Sequence, residues 1–127
     1  MRLHATALLG LILLAPGPAA AIDVDPYWLD SIPAEYHGSW NRAPGTCAPF
    51  TGRYRLTISA NEIVAGGDRF RPEYIRWHEE GGISLVSRYV GPAAPWTRVD
   101  YLTVSPDGRV LTGEHARKTI VRTRCPR

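Results

Sequence analysis

The residues best suited to acid–base or metal chemistry are three histidines beyond residue 21. They are His37, His78 and His115, and two of them adjoin a carboxylate, in the pairs His78-Glu79 and Glu114-His115. Imidazole together with carboxylate is a ligand set that zinc accepts. However, adjacent residues on a strand point to opposite faces, so neither pair can chelate one ion from regular strand geometry. We therefore predict no metal site.

The motifs that mark known catalytic sites are missing from the sequence. The chain has no G-x-S-x-G, no H-E-x-x-H and no glycine-rich phosphate loop, and neither cysteine adjoins a histidine that could activate it. We predict a protein that is not an enzyme and that requires no cofactor. A cluster of the three histidines with carboxylates in one cleft would contradict this prediction.

The chain has two cysteines, Cys47 and Cys125. In an exported protein an even number of cysteines suggests a disulfide, and two cysteines allow one pairing. The bridge would close a loop of about 79 residues, which the chain-entropy model values at on the order of 4 kcal/mol. Two free thiols are the alternative. We predict the disulfide, which ties an early loop to the last three residues.

The first 21 residues have the composition of a secretory signal peptide. Arg2 precedes an apolar run through Leu14, and small residues with an A-x-A pattern lead to Ala21. The run is too short to span a bilayer, which needs about 20 apolar residues. No cysteine follows it directly, so a lipid-attachment site is not expected. We predict a periplasmic or secreted protein without a transmembrane segment.

The remaining 106 residues, 22–127, are long enough for one domain with one core. They carry 14 basic and 12 acidic residues, a net charge of +2. This balance is not that of a nucleic-acid-binding surface. We expect a monomer whose partner is a small ligand or an exported protein.

Short runs of alternating polar and apolar residues, separated by turn residues, occupy the chain beyond residue 35. We predict eight strands, at 36–41, 53–59, 63–65, 69–78, 83–90, 96–104, 109–112 and 118–124. No segment is long enough for a helical crossover, so we predict an all-β, antiparallel up-and-down barrel. Pro72 lies inside the fourth strand and predicts a bulge or an edge position there. Asp25 and Pro26 predict one helical turn over 26–31 before the barrel.

The alternation assigns one face of these strands to the barrel interior, which is the candidate ligand site. Its predicted lining is Tyr54, Leu56, Ile75, Trp77, Leu85, Tyr89 and Tyr101. The sequence leaves open whether this interior is hollow or filled by its own side chains. Asp100 lies between two apolar residues and is expected to face solvent. The alternative is a buried Asp100 that pairs with Arg88 or Arg98.

Residues 31–40 read Ser-Ile-Pro-Ala-Glu-Tyr-His-Gly-Ser-Trp. This segment resembles the opening of lipocalin-like (calycin-type) barrels, in which a short helical turn leads into Gly-x-Trp on the first strand. The chain also resembles small exported bacterial proteins in its layout. The resemblance implies that Gly38 and Trp40 form a structural signature. It also implies that a basic residue of the last strand, Arg122 or Arg124, packs over the tryptophan and caps the closed end.

Two functions remain open from the sequence. The first is a non-enzymatic exported barrel that binds a small or extended ligand at its open end. The alternative is a protein-binding module, such as an inhibitor of an exported hydrolase, that uses segment 22–31. The consecutive Tyr27, Trp28 and Leu29 must either fold onto the barrel or bind a partner, and we expect them to fold back.

Overall fold

The computed structural model describes residues 12–17, 25–42, 47, 54–93 and 95–126. One 3-10 turn, Ala34–Tyr36, precedes the strands. The strands are β1 Gly38–Asn41, β2 Leu56–Ile58, β3 Ile63–Ala65, β4 Asp68–Trp77, β5 Ile83–Val90, β6 Thr97–Val104, β7 Val110–His115 and β8 Lys118–Arg124. Each strand pairs antiparallel with the next, and β8 pairs with β1 to close the barrel. The predicted all-β, up-and-down barrel is therefore confirmed.

The N-terminal segment forms part of the barrel wall. Leu29 N donates to Ile75 O (2.9 Å) and Trp77 N donates to Tyr27 O (2.8 Å), so residues 27–29 lie antiparallel to the second half of β4. Because β3 has only three residues, the β2–β3 hairpin pairs with β4 only at Asp68–Phe70. The N-terminal segment pairs with the part of the β4 edge that this short hairpin leaves unpaired. An uncovered edge would expose backbone groups that could pair with another chain. The sequence-based expectation that it folds back agrees with this arrangement.

The helical turn predicted over 26–31 is wrong. Asp25 Oδ1 accepts a hydrogen bond from Tyr27 N (2.9 Å), but the turn ends there and the chain extends along β4. The one described helical turn lies further on, at Ala34–Tyr36. Asp25 and Pro26 did mark a turn, and pairing with the free edge of β4 prevents its continuation into a helix.

Strand β7 is longer than predicted, since it continues to His115 where a turn was expected from residue 113. The turn itself is Ala116-Arg117, both in the left-handed region with φ of 49° and 63°. Such residues give no turn signal in a sequence, because glycine or asparagine is the usual choice there. Gly113 is instead buried within β7, and a Cβ there would lie 3.2 Å from Leu102 Cδ2.

Pro72 marks the irregularity in β4, as predicted. The register between β4 and β5 shifts between Pro72 and Tyr74, so Glu73 is the additional residue of a bulge. The bulge sets the faces of β4: beyond it Tyr74 and Arg76 face outward, while Ile75 (4% exposed) faces the core.

The half of the barrel next to the 3-10 turn is filled by its own side chains. The buried cluster comprises Ile32, Tyr36, Trp40, Leu56, Ile58, Ile63, Phe70, Ile75, Ile83, Leu85, Leu102 and Leu111. Each has no more than 4% of its surface accessible. A void large enough for water would leave part of its lining accessible, so side chains fill this space.

The predicted disulfide is confirmed: Cys47 and Cys125 are bonded, with Cα atoms 5.5 Å apart. It anchors the end of β8 to the connection between β1 and β2, beside the hydrogen bond from Cys125 N to Ser39 O (2.7 Å). A disulfide is compatible with an extracellular location. Among the described residues, no helix has the length and apolar character needed to cross a membrane. The predicted signal peptide lies largely outside the described residues.

Candidate functional site

The two ends of the barrel differ in how they are covered. At one end, residues 34–36 pack against Trp40, whose Nε1 donates to Tyr36 O (3.0 Å), and Arg124 covers the indole. The opposite end is bounded by the turns at 66–67 and 116–117 and by the described residues of the β5–β6 connection. We call this opposite end the mouth. Strand direction places the ends of β5 and β7 and the starts of β4, β6 and β8 there.

Three aromatic rings form one wall of the mouth. Trp96 stacks on Tyr89, with ring centroids 5.3 Å apart and planes 23° apart. Phe70 meets Trp96 edge-on at 4.9 Å and Tyr89 at 5.8 Å. Phe70 is buried, whereas 43% of Trp96 is exposed. The wall therefore begins in the core and ends in a flat aromatic surface that solvent reaches.

A buried ion pair lies beside this wall. Arg98 donates to both oxygens of Asp100, from Nε at 2.7 Å and from a terminal nitrogen at 2.9 Å. Their side chains are 12% and 4% exposed. The guanidinium of Arg98 also lies over the Phe70 ring, with its carbon 5.7 Å from the centroid. This fork pairs the carboxylate of Asp100 with a guanidinium inside the barrel.

The expectation that Asp100 faces solvent is wrong. Asp100 is 3% exposed and lies opposite Leu85 in the interior, while its neighbour Val99 is 59% exposed. The apolar residues on either side of Asp100 suggested that β6 buries Val99 and Tyr101. In fact β6 buries Leu102 and the polar pair instead, because the register with β5 turns those positions inward.

Arg122 is a second buried arginine of the mouth, and it has no ion-pair partner among the described residues. It is 6% exposed, and its Nε donates to Tyr54 O (2.8 Å). Burial lowers the pKa of Arg122, the charge of Arg98 lowers it further, Asp100 raises it and Arg42 lowers it. Since Arg98 already engages Asp100, the described residues place two guanidinium groups and one carboxylate in the interior.

Ser87 adds a second polar group beside Arg98. It is fully buried, lies opposite Arg98 in the β5–β6 register, and its Oγ has no hydrogen-bond partner among the described residues. A buried hydroxyl without a partner carries a desolvation cost of about 1–3 kcal/mol. Arg98, Arg122 and Ser87 thus bring three hydrogen-bond donor groups into the barrel interior.

The structure distributes the predicted interior residues over four places. Leu56, Ile75 and Leu85 are buried in the filled half, and Trp77 packs against it. Tyr89 lies in the aromatic wall. The Tyr54 ring lies under the guanidinium of Arg42, at 4.9 Å.

Tyr101 lies on the outer face, since its strand neighbours Asp100 and Leu102 are buried. Its hydroxyl donates to Gly81 O (2.6 Å), and its ring meets that of His78 edge-on. Sequence reasoning did not place Ser87 or Arg122 in the mouth. Ser87 alternates with the predicted interior residues Leu85 and Tyr89, and that was the signal available for it in the sequence.

The two arginines offered as caps for Trp40 have different positions. Arg124 lies over the indole, and Arg122 lies in the interior of the mouth. Gly38 adopts φ of +127°, and a Cβ there would lie 2.8 Å from Arg124 Nη1. The Gly-x-Trp motif therefore makes room for Arg124.

The three histidines are separate, and each has a local partner. His37 Nε2 contacts Ile32 O (2.7 Å), and His115 Nδ1 contacts Val99 O (3.0 Å). His78 lies on the outer face with its Nε2 2.6 Å from Ser84 Oγ. Within the described ranges, no three His, Cys, Asp or Glu side chains are arranged to hold a metal ion.

Ser84, His78 and Glu80 have the order of a nucleophile, base and orienting carboxylate, but not the geometry of a triad. His78 Nε2 lies 2.6 Å from Ser84 Oγ, whereas Glu80 Oε1 is 3.9 Å from His78 Nδ1. That distance is too long for the hydrogen bond by which a carboxylate orients the base.

A scan against protein-family models and searches of curated proteins and of solved structures find no match for this chain. The resemblance to lipocalin-like barrels accordingly stays a prediction.

Proposed function

We propose that the protein is a non-enzymatic, exported β-barrel that binds a small anionic ligand at the mouth. The observation that carries the proposal is Arg122, a buried cation with no ion-pair partner in the described part of the chain, 6% exposed. A buried charge is costly unless it is paired, so a cation left in this state is a place where an anion gains binding energy.

The hydrogen-bond donors nearest the mouth favour an oxyanion as the ligand. In the described part of the chain, the guanidinium of Arg122 donates through Nε to Tyr54 O, and its two terminal nitrogens remain to bind oxygen. Ser87 Oγ, opposite Arg98, has no hydrogen-bond partner among the same residues. A planar guanidinium binds carboxylate or phosphate oxygens in a bidentate manner, which is stronger than a neutral contact.

The depth of the filled core limits the ligand's size. Side chains occupy the interior from Ile83 and Leu85 to the closed end, so a long acyl chain has no room to enter. The flat face of Trp96 and Tyr89 lies at the solvent edge of the mouth. An anionic head group with a short apolar or aromatic body fits both features: the head contacts the arginine, and the body covers the rings.

Binding of simple probes to the purified protein tests the proposal. Octanoate, phenyl phosphate and inorganic phosphate are titrated by calorimetry, with native mass spectrometry for ligands that co-purify. We expect phenyl phosphate and octanoate to bind and to quench the fluorescence of Trp96. The Arg122→Gln variant should bind at least tenfold more weakly, a loss of about 1.4 kcal/mol.

Arg109→Gln is the matched control, because Arg109 is exposed in the β6–β7 turn at the opposite end. It makes the same charge change and should leave the affinity unaltered. We also expect Arg122→Gln to be as stable as the wild type or more so, because the change removes a buried charge. Absence of binding by every probe, or equal weakening by both variants, would contradict the proposal.

The alternative function, inhibition of an exported hydrolase through segment 22–31, gains no support from the position of residues 27–29. These residues are hydrogen-bonded along β4 rather than free to enter a cleft. Deletion of residues 22–30 separates the two roles. An inhibitor would lose its partner and keep its barrel, whereas we expect the barrel to lose stability because the edge of β4 is uncovered.

A further inference from the structure

Four apolar side chains form a continuous row across the outer face of β4, β5 and β6. Tyr74 lies opposite Val86, and Val86 lies opposite Val99 in the strand register. Trp28 extends the row from the N-terminal segment, with its ring 5.8 Å from that of Tyr74. We call these four residues the outer row.

Three of the four residues of the outer row have about half of their surface exposed. Trp28, Tyr74 and Val99 are 48%, 56% and 59% exposed, and Val86 lies partly buried between them. Single exposed apolar residues are common on soluble proteins. A contiguous set that includes a tryptophan and a tyrosine is typical of a protein contact surface.

Charges of opposite sign border the row on its two sides. Toward the closed end lie Glu79 and Glu80 in the β4–β5 turn, and Asp25, which pairs with Arg76. We call this side the acidic margin. Glu79 also accepts a hydrogen bond from the Tyr27 hydroxyl.

Toward the mouth lies the basic margin, formed by Arg71 and Arg88. These arginines are directly opposite each other on the outer face of β4 and β5. Like charges in a cross-strand pair are destabilising. Glu73, the additional residue of the bulge, pairs with Arg88. Arg71 has no ion-pair partner within the described residues, so this margin keeps a net positive charge.

We propose that the outer row is the surface through which two copies of this chain associate as a two-fold symmetric dimer. A two-fold axis that runs along the row, in the plane of the interface, brings the row of one copy onto the row of the other. The same rotation lays the acidic margin of each copy on the basic margin of its partner. One surface therefore supplies both the apolar centre and the complementary charged rim of an interface.

The charge pattern favours a second copy over other occupants. An anionic membrane would attract the basic margin and repel the acidic one, which lies on the same face. A second copy satisfies both margins with one contact. The sequence predicted a monomer. It also predicted that Asp100 faces solvent, which would bury Val99 and remove it from any surface row.

Sedimentation velocity of the full, disulfide-bonded protein, over a concentration series up to about 1 mM, tests the dimer. We expect the sedimentation coefficient to rise with concentration from a monomer to a dimer value. Val99→Glu should raise the dimer dissociation constant at least tenfold. Val121→Glu is the matched control, because Val121 is 51% exposed on β8 outside the row, and it should leave the constant unchanged.

Charge exchange tests the orientation of the two copies. Arg71→Glu alone should weaken the dimer, because it places acidic residues against Glu79 of the second copy. Adding Glu79→Arg in the same chain should restore association, because residue 71 of one copy and residue 79 of the other then again carry opposite charges. A wild type that stays monomeric throughout, or a Val99→Glu variant that dimerises as well as the wild type, would overturn the proposal. If the double variant associates no better than Arg71→Glu alone, the two-fold arrangement is overturned.

Discussion

Arg124 lies over the indole of Trp40, with its guanidinium carbon 4.1 Å from the ring centroid. Its Nε donates to Gly108 O (2.7 Å) and one terminal nitrogen to Glu35 O (2.8 Å), and the other donates to His37 O. One side chain thus joins the β6–β7 turn, the 3-10 turn and β1 at the closed end. All three acceptors are main-chain carbonyls, which only a branched, multi-donor group can reach together.

Replacing Arg124 should destabilise the barrel more than a surface arginine does. Arg124→Met keeps an apolar side chain over Trp40 but loses three charge-assisted hydrogen bonds and the cation–π contact. We expect a loss of about 3–5 kcal/mol in the free energy of unfolding. Arg124→Lys keeps the charge but not the branched geometry and should lose about 1–3 kcal/mol. Urea unfolding followed by tryptophan fluorescence measures both, with Arg117→Met as the exposed control. A loss below about 1 kcal/mol in the methionine variant would contradict this role.

A residue larger than glycine at position 38 should destabilise the barrel for two reasons: the backbone conformation there and the proximity of Arg124. Its φ of +127° is strained for any residue with a Cβ, and that Cβ would lie 2.8 Å from Arg124 Nη1. We expect Gly38→Ala to cost about 2–3 kcal/mol, of which the Arg124→Met background should recover the part caused by the contact. A double-mutant cycle measures this coupling. Gly67→Ala, which has nothing within 4 Å, is the control. Strict additivity would show that backbone strain alone is responsible.

The positions of the strands could be predicted because alternation and turn residues are local properties. The β6–β7 turn at Ser105-Pro106-Asp107-Gly108 carries turn chemistry in its sequence, and the bulge was signalled by Pro72. The Ala116-Arg117 turn carries no such signal, since neither residue type favours a positive φ. The end of β7 was therefore placed too early.

The composition of the mouth could not be predicted, because it depends on which face of β6 is inward. Val99 and Tyr101 on one face and Leu102 on the other make both faces credible as core. Barrel closure decides the question by fixing the register with β5, which places Asp100 opposite Leu85. The neighbourhood of Ser87 and Arg98 follows from the same register and involves residues 11 positions apart in the chain.

Removing the carboxylate of Asp100 should be costly, because Arg98 and Arg122 would remain as buried cations. We expect Asp100→Asn to lose about 3–5 kcal/mol in the free energy of unfolding. Replacing both members of the pair, as Arg98→Met with Asp100→Leu, should cost much less, since no unpaired charge is left. Phosphate should stabilise Asp100→Asn more than the wild type, as an added anion takes the place of the carboxylate.

Thermal unfolding of these variants in phosphate and in an uncharged buffer at matched ionic strength makes the comparison. Glu114→Gln, an exposed carboxylate on the outer face of β7, is the control. Equal losses in Asp100→Asn and in the double replacement would show that packing, and not charge balance, sets the cost.

Tyr36 should make the protein sensitive to alkali. Its side chain is 2% exposed at the closed end, and burial, with smaller contributions from Glu35 and Tyr101, raises its pKa from 10.0 to about 12. A group whose pKa is higher in the folded state stabilises that state below its unfolded pKa and loses the contribution as pH rises through the folded value. Stability linked to Tyr36 is therefore complete below pH 10 and falls between pH 10 and about 12. A rise of this size corresponds to on the order of 3 kcal/mol.

Tyr36→Phe should abolish this part of the alkaline loss while changing stability at neutral pH little, because its hydroxyl makes only a 3.5 Å contact with Leu102 O. The measurement is urea unfolding at a series of pH values from 8 to 12, chosen to bracket the titration. Tyr74→Phe is the control, since Tyr74 is 56% exposed and should keep the wild-type pH profile. If the two variants show the same profile, the ionisation of Tyr36 does not control alkaline unfolding, and another buried group must.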